Sequence, residues 1–142
     1  MHAQLSPDTH EVRANGVIHW RNLNSHPVTH LSFHLYANAF KSRDSVFFRN
    51  ARAGWIASKT LRNLGQIDIH NLSVREHGNA NLWPRARRAV ANEPSDDTDM
   101  VVELDASIQP GSEIHVEVSW TTKLPNIVAR MGYEKSFHMV AQ

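Results

Sequence analysis

A strict two-residue alternation close to the C-terminal end narrows the fold more than any other feature. Between residues 113 and 122, Ile114, Val116, Val118 and Trp120 alternate with His115, Glu117, Ser119 and Thr121. Successive side chains of a strand point to opposite faces, so this stretch offers one apolar face to a core and one polar face to solvent. Gln109-Pro110-Gly111-Ser112 precedes it and is turn chemistry. Proline presets a negative φ, and glycine accepts a positive one. Met100-Val101-Val102-Glu103-Leu104 lies before that turn, and the two runs are expected to pair as a β-hairpin with a slightly long connection.

The same period recurs upstream. Ser6-Pro7-Asp8 reads as a turn, after which Val12, Ala14, Ile18 and Trp20 share one parity. Gly16 interrupts that strand and is expected to mark a bulge or sharp bend. A second turn at 22–27 leads into Leu31, Phe33 and Leu35, alternating with Ser32, His34 and Tyr36. Residues 45–52 read as a short helix with Asp44 or Ser42 as its cap. Alternation resumes at 66–75, with Ile67 and Ile69 inward and Leu72 and Val74 inward after a slip of parity. A turn at 76–79 and a polar loop at 92–99 follow. Short strands separated by turn residues indicate an all-β fold, a sandwich or twisted sheet with at most one or two short helices. A length of 142 residues suits a single domain spanning 1–142.

Composition removes several classes of function. There are no cysteines, which excludes disulfides, thiolate metal ligands and thiol nucleophiles. The formal net charge is +1, so no nucleic acid or other polyanion is expected as a partner. The one basic cluster, Arg85, Arg87 and Arg88, reads as a solvated loop. No apolar run approaches the roughly 18 residues of a membrane helix, so no membrane span is expected, and no signal-peptide pattern opens the chain.

Ten histidines raise the question of a metal, and His30 and His34 stand four apart as in His-Glu-x-x-His. That motif needs a helix and a glutamate. Here Leu31, Ser32 and Phe33 intervene on a strand-like segment, where positions four apart are separated by roughly 13 Å. No metal ligand is assigned. Nucleophile elbows and phosphate loops are absent, and Glu103 and Asp105, on one parity, read as an exposed acidic pair. Asn71-Leu72-Ser73 is a formal glycosylation sequon. Trp20 and Trp120 fall on core parities, whereas Trp55 and Trp83 lie in irregular regions and are open between core and a carbohydrate platform. No catalytic residue emerges.

Four segments, in order, carry a resemblance. Leu5 to Val12 running into Gly16-Val17-Ile18-His19-Trp20-Arg21-Asn22 resembles the opening strand–turn–strand of aminopeptidase N-like zinc enzymes. Leu31-Ser32-Phe33-His34-Leu35-Tyr36-Ala37-Asn38-Ala39-Phe40 is similar to a segment of a bacterial branch of that family. Ile108-Gln109-Pro110-Gly111-Ser112 with the alternating strand and Lys123-Leu124-Pro125 looks like a third. Ala129-Arg130-Met131-Gly132-Tyr133 through Phe137-His138-Met139-Val140-Ala141-Gln142 looks like a fourth.

The resemblance implies a saddle-shaped all-β N-terminal domain that packs beside a thermolysin-like catalytic domain of the same polypeptide. The family's zinc motif and amine-binding loop are not in this chain, so catalytic residues and metal are assigned to none of its positions. Zinc is expected only in the parent enzyme. The residue matching the family's glutamine at the edge of the peptide-substrate pocket is Gln142. Ile127, Val128, Met131 and Met139 are candidates for an apolar docking patch, with the domain's own core as the other reading. An independent β-sandwich module binding a protein or carbohydrate partner stands as the alternative function.

Overall fold

In the computed structural model, residues 1–50, 62–90, 93–126 and 131–140 are described. The alternating C-terminal stretch is β7 (Glu113–Lys123), and it organises the larger sheet. It pairs antiparallel with β2 (Glu11–Arg21) along its whole length, from Glu11 opposite Lys123 to Arg21 opposite Glu113. β1 (His2–Ser6) adds to the outer side of β2, and β4 (Gln66–Val74) adds to the other side of β7, giving the order β1-β2-β7-β4. A second sheet has the order β3-β6-β5, built from β3 (Val28–His34), β5 (Arg87–Arg88) and β6 (Asp99–Ile108). A third is the two-stranded hairpin of β8 (Met131–Glu134) and β9 (Phe137–Val140). The fold is all-β.

The expected hairpin between β6 and the alternating strand does not form, because β6 and β7 lie in different sheets. The Pro110-Gly111 turn is present, with Gly111 at φ 79° and the Ser112 N–H on the Gln109 carbonyl. Its function is to carry the chain from one sheet to the other. Asn22, with no exposed surface, holds that crossover. Its backbone exchanges hydrogen bonds with Gly111 and Ser112, and its side-chain amide donates to the carbonyls of Ile108 and His26.

Gly16 also departs from expectation, since β2 runs through it without a shift of register. A Cβ there would come 2.9 Å from the Met1 Cα, so close packing of the N-terminal residue accounts for the glycine. The bulges fall elsewhere, between Val28 and His30 and between Ile69 and Asn71. The second of these is the parity slip read from the sequence. It keeps Ile67 and Ile69, then Leu72 and Val74, on the inner face.

The main core lies between the two larger sheets. Leu72, Val74, Ile114, Val116 and Val118 from one sheet meet Val102 and Ile108 from the other, with Leu82 beneath. Trp20 and Trp120 pack on its border as expected, and so does Trp83. Trp55 lies outside the described residues. A second cluster, Ala37, Phe40, Leu124, Met131 and Tyr133, seats the β8–β9 hairpin. The short helix is α1 (Val46–Asn50), and its cap is Ser45 rather than Asp44 or Ser42. Ser45 Oγ accepts from the Phe48 N–H, and its carbonyl accepts from the Arg49 N–H. The last two residues of the expected helix lie outside the described residues. Among the described residues no helix is long and apolar enough to cross a membrane.

Candidate functional site

The hairpin β8–β9 carries the last of the four resembling segments. It turns through Lys135, at φ 54°, and Ser136, and pairs Tyr133 with His138 and Met131 with Val140. A two-stranded ribbon is marginal alone and needs packing, which Tyr133 supplies. Its ring is buried, its hydroxyl accepts from Asn63 Nδ2 at 2.5 Å, and its N–H donates to the Pro125 carbonyl.

The turn between β1 and β2 reaches the same place from the other end of the sequence. His10 takes a left-handed conformation at φ 57°, uncommon for a residue with a Cβ. That conformation lays its imidazole on Tyr133, with ring centroids 3.5 Å apart and planes within 9°. His10 Nδ1 stands 2.9 Å from His138 Nε2. His138 Nδ1 lies 3.2 Å from the Ser136 carbonyl, which can only accept, so Nδ1 carries a proton, and in the neutral ring Nε2 is then the acceptor toward His10. The His10 carbonyl also takes the Leu124 N–H. The stack therefore locks the first and last of the four segments together.

The face of the hairpin turned from Tyr133 carries Phe137 and Met139. Phe137 is 56% exposed, and Met139 is half-buried. Of the four candidates for a docking patch or for the chain's own core, Met131 belongs to the second core cluster. Ile127 and Val128 lie outside the described residues, as does Gln142.

A cleft of about 690 Å³ lies where the β4 edge faces β5 and the start of β6. Asn38, buried, fixes its width: Nδ2 donates to the Asp97 carbonyl on one side, and Oδ1 accepts from the Ile67 N–H on the other. Asp97 receives Lys41 Nζ at 2.7 Å and Arg88 Nε at 2.5 Å. Partial burial pushes its carboxyl up, but the two cationic donors outweigh that, and its pKa is lowered overall. Trp83, Ile69 and Met100 supply apolar surface to the cleft.

The arginine cluster is neutralised residue by residue. Arg85 pairs with Asp105, Arg87 with Glu103, and Arg88 with Asp97. Those pairs also occupy both members of the Glu103/Asp105 couple. His30 and His34 sit on an exposed stretch of β3, where His34 pairs with Asp99. Among the described residues no group of three or more His, Asp or Glu side chains is placed to hold a metal ion. The sequon residue Asn71 is half-buried and donates to Ser73 Oγ, itself buried. Comparison with protein-family models, with curated proteins and with solved structures returned no match.

Proposed function

We propose that this chain is the non-catalytic N-terminal domain of an aminopeptidase N-like zinc enzyme, which packs beside the catalytic domain and helps to shape the cleft for peptide N-termini. The observation that carries the reading is the way the four resembling segments sit in one frame. The third contains β7, the strand to which both β2 and β4 bond. The second contains Asn38, which links β4 to the loop leading into β6. The first and fourth meet in the His10–Tyr133–His138 stack.

On this reading the outer face of β8–β9, with Phe137 exposed, is a candidate docking face, and the resemblance assigns Gln142 to the peptide-substrate pocket of the parent enzyme. A neutral amide both donates and accepts, so it holds a peptide N-terminal region without the desolvation cost of another charge. Zinc and the catalytic residues belong to the partner domain, where the metal lowers the pKa of a bound water.

The test starts with the coding sequence downstream of Gln142, which should encode an aromatic-proline segment and later His-Glu-x-x-His. The purified chain should hold no stoichiometric zinc by elemental analysis and should not turn over an aminoacyl anilide. In the parent enzyme, Gln142→Ala should lower kcat/KM for short peptides with zinc content unchanged. A frame with no such motif, or parent kinetics indifferent to Gln142→Ala, would overturn the assignment.

A further inference from the structure

The cleft between the β4 and β5 edges has the size of a small-molecule site, for which about 300–1,000 Å³ is usual, at about 690 Å³. Its chemistry selects among ligand classes. An exposed strand edge ordinarily invites a peptide strand, but the β4 edge is already occupied at Ile67 and from His70 to Leu72. Asn38 accepts from the Ile67 N–H, Asn81 accepts from the Leu72 N–H and donates to the His70 carbonyl, and the Leu82 N–H donates to the Leu72 carbonyl.

A strongly anionic ligand gains no net attraction from these charges, because each cation already has a carboxylate partner. Lys41 and Arg88 share Asp97, Arg87 is balanced by Glu103, and Asp68 also lines the space. What remains is a wall on which charged donors and a carboxylate acceptor alternate, beside an apolar surface of Trp83, Ile69 and Met100. A guanidinium carries five N–H groups and an ammonium three, more than one carboxylate can absorb. Hydroxyl groups donate and accept at once, and a pyranose ring presents an apolar C–H face to an aromatic.

We propose that this cleft is a carbohydrate subsite. It takes a neutral mono- or disaccharide, with one ring face against Trp83 and hydroxyls on Lys41, Asp97 and Arg88. The site is built on fixed elements: Asn38 ties its two walls, and Trp83 is wedged edge-on against Phe33 with centroids 6.4 Å apart.

The experiment is a nitrogen–proton NMR titration of the intact chain, following the Trp83 indole N–H and Arg88 Nε–H. Cellobiose, maltose and N,N′-diacetylchitobiose form three neutral arms, and glucuronate and inorganic phosphate form two anionic arms. At least one neutral disaccharide should give saturable shifts at both positions. Arg88→Ala should weaken that binding about tenfold, the loss of one charged hydrogen bond, while Arg85→Ala, whose partner Asp105 is not in the cleft, should leave it unchanged. Trp83→Leu should abolish it. Because Trp83 also borders the core, Arg88→Ala, at an exposed residue, remains decisive if the tryptophan variant does not fold. Shifts with only glucuronate or phosphate, shifts insensitive to Arg88→Ala, or none with all three disaccharides would each overturn the proposal. None of these readouts involves a catalytic domain or peptide hydrolysis, so the two proposals fail separately.

Discussion

Asn22 shows how much one polar side chain decides in this fold. It has no exposed surface, and its amide nitrogen serves two carbonyls from different segments, Ile108 and His26. A leucine of similar size leaves both acceptors without that donor, at about 1–3 kcal/mol each. Asn22→Leu is therefore expected to lower stability by about 2–6 kcal/mol, read as a fall in the urea midpoint with an unchanged denaturant slope. Asn24→Ala, at an exposed position, should stay within about 0.5 kcal/mol. Glu76 gives the second residue-scale expectation. Its carboxylate accepts from the His115 imidazole and from the His115 backbone N–H, and these bonds hold its pKa down from 4.5 to about 2. A depressed carboxylate stabilises the fold above its ordinary range and loses that contribution as pH falls through the folded value. The Glu76 carboxyl carbon should thus titrate near 2 by NMR, and His115→Ala should move the midpoint up toward 4.5. A midpoint at the ordinary value in the unaltered chain would remove the His115 interaction from the account. At Asn71 the half-buried amide and its bond to Ser73 leave the sequon poorly presented to a glycosyltransferase.

At the scale of elements, the β8–β9 hairpin depends on a few contacts with the body. Tyr133→Leu keeps an apolar side chain in the second cluster but removes the His10 stack and the Asn63 hydrogen bond. Ring pairs contribute about 0.5–1.5 kcal/mol and a net hydrogen bond about 1 kcal/mol, so a loss of about 2 kcal/mol is expected. Amide hydrogen exchange should accelerate across β8 and β9 while the β2–β7 ladder keeps its protection; uniform acceleration would mean that the hairpin is not a separate unit. The strands themselves were legible where one face is buried and one is wet, as in β7, because burial imposes the period. β1 was not, since all but one of its five residues are exposed and only its pairing with β2 makes it a strand. The β6–β7 hairpin was misread for a different reason. Two strands joined by a Pro-Gly turn look alike locally whether they pair or change sheets, and here the choice rests on Asn22, 86 positions from Ile108. The His10–Tyr133–His138 stack was equally hidden, because His10 and His138 are 128 positions apart. The cleft was half visible: Trp83 stood out as a tryptophan in an irregular region, but nothing local told that Lys41 and Arg88 share Asp97.

Over the whole molecule, apolar surface is distributed unevenly. The three-stranded sheet covers β7 and β4, while the β1–β2 side of the larger sheet keeps Met1, Leu5 and Ile18 exposed, with Leu5 opposite Val12 on the inner face. Large apolar side chains left exposed on one sheet face make that face a candidate contact region. On the opposite count, the charged pairs of the β5–β6 region sit in water and contribute little to stability. Under the proposed function, two surfaces are candidates for the face that meets a catalytic domain: the β1–β2 inner face and the outer face of β8–β9. Single charges separate them. Phe137→Asp removes an exposed ring from the hairpin, and Ile18→Asp marks the sheet. Inter-domain contacts commonly bury about 600–1,500 Å², and an aromatic near the centre of such a contact is a frequent hot spot, costing about 2 kcal/mol or more when lost. With the chain and the catalytic domain expressed as separate pieces, Phe137→Asp should weaken their association at least tenfold and leave the thermal unfolding of the chain alone within about 2 °C. Weakening by Ile18→Asp with no effect of Phe137→Asp would move the docking face to the β1–β2 sheet.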